Sequence, residues 1–237
     1  MPDKIAIITG AGRGIGRAAA IEMSRRGFSV ALISRTISEL SESARLCQEA
    51  APASAPAIFP MDVMESEQIT KTVREIQARF GRVDAFIHSA GVAPCRTIEE
   101  LKPQEWQQIL DVNLSPIVHF AQALWPLWRT QGGGVMVNVS SYSARDPFPG
   151  LGFYGAAKAG VNLLGLALAR EGAAINVRVH TVAPGATETQ MFRSIPAARD
   201  FPMEKTLDPT HVARVIADCV TGDLSATSGE VIYLKKP

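Results

Sequence analysis

"TGAGRGIG", residues 9 to 16, follows the apolar run "KIAIIT" directly and opens a stretch of helical periodicity. A strand that runs into a glycine-rich turn and out into a helix is the phosphate-binding corner of a dinucleotide fold. Here Gly10 supplies the tight turn, Gly14 the close backbone approach to a diphosphate and Gly16 the close helix packing, with the helix N-terminus facing the anion. The spacing is G-x-x-x-G-x-G rather than the commoner G-x-G-x-x-G, and no Walker lysine followed by Ser or Thr is present, which disfavours an ATPase. A glycine-rich turn that binds nothing is the alternative for an isolated match, and the flanking strand and helix count against it.

The alternation begun at this turn continues along the chain. "KIAIIT", "SVALIS", "AIFPMD", "VDAFIH", "GVMVNVS", "INVRVHTVA" and "EVIYL" read as strands, with helices expected near 15–26, 37–50, 66–80, 104–130, 155–173 and 209–220. Such alternation implies βαβ units, so the expected fold is α/β: one Rossmann-type domain over 1–237, a doubly wound parallel sheet of about seven strands with helices on both faces. "EAAPASAPAI" at 49–58 falls where a helix-to-strand loop belongs rather than a domain linker, and "QGGGV" at 131–135 reads as a turn. The irregular segment 186–208, with Met191, Phe192 and Phe201 expected to be exposed, is a candidate mobile lid over a substrate.

Bulk properties narrow the function. Of 237 residues, 24 are Lys or Arg and 23 Asp or Glu, a net charge of +1 that supplies no field for wrapping nucleic acid or docking on an anionic membrane. The apolar run after Lys4 stops at Thr9, short of the about 20 residues of a spanning helix, so no targeting or membrane segment is expected. Cys47, Cys95 and Cys219 are far apart and without CxxC spacing, which suits reduced thiols, an absence of metal ligation and a cytoplasmic location.

Two local patterns carry chemistry. At the end of the second strand an acid would accept from the adenosine ribose of NAD, but this chain reads "ISRT". Arg35 there and Arg13 in the glycine turn suit a clamp on a 2′-phosphate, which makes NADP(H) the expected cofactor; the alternative is that either arginine is a plain surface residue. In "FYGAAKAG", 153–160, Tyr154 and Lys158 stand four apart, which places phenol and ammonium on one helical face. A cation one turn away favours the phenolate and is expected to lower the phenol's pKa; the bland alternative is a surface pair.

With the turn at 9–16, "HSAG" at 88–91, "DVNL" at 111–114, "NVSS" at 138–141, "YGAAK" at 154–158 and "APGATETQM" at 183–191 in order, the chain resembles the short-chain dehydrogenase/reductase family over nearly its whole length. It looks most like the ketoreductase branch that includes 3-oxoacyl-carrier-protein reductases, and sepiapterin-reductase-like members are similar in layout. The resemblance implies a catalytic tetrad of Asn113, Ser141, Tyr154 and Lys158, with Tyr154 as general acid, Ser141 holding the carbonyl oxygen, Lys158 also bonding the nicotinamide ribose, and Asn113 holding a water that links the lysine to solvent. Ser140 or Ser143 could replace Ser141 in that role, and Asn113 could instead only kink its helix.

The resemblance further implies cofactor contacts from Gly10, Arg13, Gly14, Ile15 and Gly16 at the turn, from Ser34 and Arg35 after the second strand, and from Asp62 and Val63 at the adenine. Ala90 and Gly91 lie by the adenosine ribose, and Pro184, Gly185, Thr187 and Thr189 receive the nicotinamide end. Asp62 alternatively caps the next helix. Where the family usually has "NNAG", His88 and Ser89 stand here, and the terminus "TSGEVIYLKKP" lacks the family's usual "VDGG" close. Trp106, Trp125 and Trp128 are expected to serve core or subunit packing. The implied activity is NADPH-dependent reduction of a ketone, 3-oxoacyl-thioester-like, with a sepiapterin-type or general carbonyl reductase as the alternative. A catalytically silent cofactor-binding regulator is the rival from another class. A homo-oligomer, tetramer or dimer, built on the helices at 104–130 and 155–173, is the family expectation.

Overall fold

Each apolar run of the sequence takes one place in a single sheet in the computed structural model, which describes residues 4–236. The strands are β1 (Lys4–Thr9), β2 (Phe28–Ser34), β3 (Ala57–Pro60), β4 (Ala85–His88), β5 (Gly134–Val139), β6 (Val177–Pro184) and β7 (Val231–Leu234). All pair in parallel, in the order β3-β2-β1-β4-β5-β6-β7. After β3 the chain returns to the far side of β1, so the crevice at the carboxyl ends of β1 and β4 is the switch point where doubly wound sheets bind ligands.

Helices cover both faces: α1 (Gly14–Arg25), α2 (Ile37–Ala50) and α8 (Pro209–Thr221) on one, α3 (Ser66–Phe80), α4 (Pro103–Asn113), α5 (Ser115–Gln131) and α6 (Gly152–Gly172) on the other. Alternate strand residues feed the two cores. Ile5, Ile7, Phe86 and Met136 face α3 to α6, while Ala6, Ile8, Ile87 and Val137 face α1 and α8. Phe86 stacks on Phe120 with centroids 4.4 Å apart, and the fully buried Trp128 donates from Nε1 to the Val83 carbonyl at 2.8 Å. Among the described residues no helix is long and apolar enough to cross a membrane.

The expected helix at 104–130 is two helices broken at Leu114. Asn113 turns its side-chain Nδ2 back on the Ile109 carbonyl and onto Val92 O, both at 2.9 Å, and Pro116 has no N–H to continue the ladder. The expected helix at 155–173 begins earlier, at Gly152, so Tyr154 lies in its first turn. Segment 186–208 holds a short helix, α7 (Gln190–Ser194), and two tight turns. Of the three residues expected to be exposed, Met191 is exposed, but Phe192 is buried and edge-on to the half-buried Phe201, in a small cluster with Leu151 and Ile195. That side chain lies under the segment rather than on its surface.

The glycine turn is built by contact. Gly10 has φ +65°, and a Cβ on it would meet the Ala90 backbone at 2.8 Å; a Cβ on Gly16 would lie 2.2 Å from the Gly10 carbonyl oxygen. Backbone cannot yield as a side chain does, so Gly16→Ala is expected to cost about 1–3 kcal/mol in urea unfolding and to remove dinucleotide binding. Gly152→Ala, in open space, should change stability by less than about 1 kcal/mol. Equal effects of the two would refute the close-approach reading.

Candidate active site

One cavity of about 810 Å³ opens at the switch point, and its wall carries all of the sequence-predicted residues except one. Gly10, Arg13, Gly14, Ile15 and Gly16 come from the β1–α1 turn, Ser34 and Arg35 from the end of β2, and Asp62 and Val63 from the end of β3. Ala90 and Gly91 follow β4, Ser141 follows β5, Tyr154 and Lys158 come from α6, Pro184 ends β6, and Gly185, Thr187 and Thr189 follow it. Asn113 is fully buried and stands behind the wall, its Oδ1 2.9 Å from where a Cβ on Gly91 would be. That oxygen has no hydrogen-bond partner.

At the centre, Lys158 is 3 % exposed and donates from Nζ to the Val139 carbonyl at 2.8 Å, with the ammonium 5.6 Å from the Tyr154 ring centroid. The three serines separate by partner. Ser140 is buried and donates its hydroxyl to the Lys158 carbonyl at 3.1 Å, whereas the Ser141 hydroxyl accepts from the Ser143 amide at 3.1 Å and remains within reach of the Tyr154 phenol. Burial pushes the phenol up to about 12, against a downward pull from the Ser141 bond. Burial pushes Lys158 down to about 7. The lowered phenol pKa expected from sequence is therefore reversed, because both groups lie in a dry site that penalises phenolate and ammonium alike.

The replaced asparagine is also accounted for. Thr9 Oγ1 accepts from the Ser89 and Ala90 amides at 3.1 and 3.2 Å, so its one proton goes to His88 Nδ1 at 3.0 Å, and the neutral ring carries its hydrogen on Nε2. Burial, with the Lys158 charge adding to it, holds His88 down to about 3. A neutral histidine at the end of β4 thus anchors the Thr9 hydroxyl that ties β1 to the loop after β4.

At the other end the arginines already have partners. Arg35 Nη1 lies 3.7 Å from Asp62 Oδ2, and Arg13 Nη1 lies 3.7 Å from Glu39 Oε1 and 2.6 Å from the Gln190 side-chain oxygen. Asp62 accepts from the Met64 amide in its own turn at 3.1 Å, and Glu65, not Asp62, precedes α3. Sequence reasoning missed Glu39 and Gln190, which line the same cavity. Glu39 stands in the first turn of α2, five residues beyond β2, a position no motif marks.

The cavity fits a dinucleotide on its own chemistry. No side chain caps the start of α1, so its first amides face the cavity; the glycines leave backbone bare; and the Ser34 hydroxyl is buried without a partner at the ribose end. A seven-stranded doubly wound sheet with Ser, Tyr and Lys beside that cradle defines a nicotinamide-dependent oxidoreductase fold. The short chain dehydrogenase family profile matches residues 4–200, and this chain belongs to the short-chain dehydrogenase/reductase family of oxidoreductases, whose members bind NAD(P)(H).

Among curated relatives, a 3alpha-hydroxysteroid dehydrogenase of Mediterraneibacter gnavus is 30% identical over 98% of this chain and 95% of its own. The 3-oxoacyl-acyl-carrier-protein reductase of Thermotoga maritima is 30% identical over 98% and 96%. Among solved structures, levodione reductase superposes with TM-score 0.91 at 26% identity over 98% and 96%. An alcohol dehydrogenase of Thermococcus sibiricus, complexed with 5-hydroxy-NADP, gives 0.85 at 27% over 99% and 98%.

The lysine has a consequence for stability. Unfolded, Lys158 keeps its proton to about pH 10.5, and folded only to about 7. Between those values the unfolded chain binds more protons, so stability rises with pH. From about pH 10 the raised Tyr154 works in the opposite direction. In urea unfolding, the wild type is expected to gain stability relative to Lys158→Met between pH 7 and pH 10. A pH-independent difference would mean that the amine is not desolvated.

Proposed function

We propose that the chain reduces a carbonyl substrate to the alcohol with NADPH, and that Asn113, Ser141, Tyr154 and Lys158 carry the reaction. The observation that supports this most is the meeting of Ser141, Tyr154 and Lys158 on one wall of the cavity that also holds the glycine turn. When bound, the reduced nicotinamide supplies hydride to the carbonyl carbon. Tyr154, whose raised pKa keeps its proton in place at neutral pH, gives that proton to the carbonyl oxygen. Ser141 polarises the same oxygen and, with Lys158, stabilises the phenolate left behind. The unpartnered Asn113 Oδ1 suits a water that returns a proton towards Lys158.

Ser140 is set aside for this role because its hydroxyl is spent on the helix backbone. Replacing Tyr154 with Phe is expected to lower kcat by at least about 100-fold, the usual scale of a general acid's contribution, while nucleotide binding persists. Turnover retained in that variant would sink the mechanism, and a wild type that binds nucleotide yet shows no single turnover on any carbonyl would favour the silent regulator.

NADPH is proposed because Arg13 and Arg35 flank the ribose end with side chains 59% and 65% exposed. Their ion pairs at 3.7 Å are of the weak, exposed kind worth at most about 1 kcal/mol, so a 2′-phosphate displaces them readily. The 5-hydroxy-NADP held by the Thermococcus sibiricus enzyme agrees with this. A second reading, NADH, rests on Glu39, whose carboxylate lies 2.9 Å from where a Cβ on Gly12 would be, beside Ser34. Fluorescence titration separates them: Glu39→Gln should tighten NADPH and leave NADH weak, whereas tighter NADH than NADPH in the wild type would overturn the arginine clamp.

The 3-oxoacyl-thioester reductase reading draws on the Thermotoga maritima relative, and sepiapterin-type or general carbonyl reduction remains its alternative. A homo-oligomer through α5 and α6 is supported by Val118 and Leu163, 36% and 69% exposed on those helices. Light scattering should give a dimer or tetramer that Leu163→Glu dissociates, and a monomeric wild type at micromolar concentration would refute it.

A further inference from the structure

The substrate end of the cavity has a charge pattern of its own. Lys205 comes from the tight turn Met203–Lys205 in the segment after β6, and Lys235 and Lys236 follow β7; all three reach the cavity wall. Lys235 is held there. Its Nζ lies 5.3 Å from the centroid of the Tyr142 ring, and Tyr142 is the residue after Ser141. Tyr142 meets Tyr233 edge-on at 5.8 Å, Tyr233 Oη accepts from Asn162 Nδ2 at 3.3 Å, and the Arg145 guanidinium covers the other tyrosine at 5.8 Å.

The backbone anchors the same corner, because Gly185 N–H donates to the Leu234 carbonyl at 2.7 Å and so fixes the end of β7 against the loop after β6. Among the described residues, Arg145, Lys205, Lys235 and Lys236 form no ion pair. The carboxylates of the cavity wall are Glu39 and Asp62, both beside arginines at the adenosine end, and Asp146. Glu188, in the segment that carries Lys205, is taken up by Arg193. Lysines from two separate parts of the chain thus line the cavity, with Lys235 over the residue next to Ser141, and among the described residues Asp146 is the one wall carboxylate not paired with an arginine.

We propose that the substrate is an anion: a carbonyl compound bearing a carboxylate or a phosphate that Lys205 and Lys235 bind at the mouth while its carbonyl reaches Ser141 and Tyr154. This rests on the carbonyl-reductase reading and adds a substrate class to it. The Tyr142 ring holds Lys235 near one place, so the anion finds that cation partly ordered, and the scarcity of carboxylates on this part of the wall leaves the attraction little opposed.

Matched pairs test it. The ratio of kcat/KM for acetoacetate over methyl acetoacetate isolates a carboxylate, and that for the acetoacetyl thioester of 4′-phosphopantetheine over the acetoacetyl thioester of pantetheine isolates phosphate. At least one ratio should be about tenfold in the wild type, the effect of some 1.4 kcal/mol; it should fall towards one in Lys205→Gln/Lys235→Gln, survive in Lys235→Arg, and shrink with added salt. Whichever pair responds names the source of the charge. Ratios near one in the wild type, or ratios the double substitution leaves alone, overturn the proposal. Calorimetric titration of acetoacetate and its methyl ester into the protein–nucleotide complex separates the two claims. Anion-selective binding lost in the double variant without turnover of any probe would defeat the reductase reading and keep the anion site; binding indifferent to charge would defeat the site whether or not turnover is seen.

Discussion

Lys158 reaches out of α6 to the carbonyl of Val139, the last residue of β5, and that one hydrogen bond fixes the rest of the site. An amine with so little access to water is costly to charge and costly to leave unpaired, so helix and strand are held in one relation wherever the amine is satisfied. Ser140 completes the clamp from the strand side by donating to the Lys158 carbonyl. Ser141, the next residue, and Tyr154, one helical turn before the lysine, then have no freedom to drift apart. The dryness that makes this clamp also raises the phenol and lowers the amine, so that a phenol that keeps its proton and an amine that gives its proton up readily are two results of a single burial.

The sheet places this clamp beside a nucleotide cradle by topology. Because β4 joins β1 on the side opposite β2, the turns after β1 and β4 part at the carboxyl end and leave a crevice. Thr9 and His88 prevent the parting from loosening the strands. The hydroxyl takes two amides of the loop after β4 and gives its proton to the ring, work that needs a neutral acceptor and that burial guarantees. The two ends of the crevice differ in electrostatics. At the ribose end each arginine faces a carboxylate, while at the mouth the lysines outnumber Asp146.

Much of this was legible in the residue order. Strand and helix positions follow from apolar period, and the helices at 37–50 and 66–80 run as their periodicity implies. Less legible were features that depend on a partner distant in sequence. The break at Leu114 arises because Asn113 bonds Val92, 21 residues away, as well as its own helix. Phe192 looks exposed in a polar segment and is buried because Phe201 and Leu151 fold over it. Glu39 and Lys235 belong to the cavity, yet neither lies in a motif, and only the meeting of α2 with the glycine turn and of β7 with the loop after β6 brings them there.

Local rules suffice for what repeats along the chain. Period, turn chemistry and spacing specify a doubly wound sheet, a glycine cradle and a Tyr–Lys pair on one helical face, since each depends on residues within a few positions of one another. The direction of the phenol's shift, the hydrogen-bond partners of the neighbouring serines, the partners of the two arginines and the lysines of the cavity wall were decided by tertiary structure. Desolvation and through-space charge depend on what surrounds a group in three dimensions, and the residues that surround these groups are tens to hundreds of positions away in the chain.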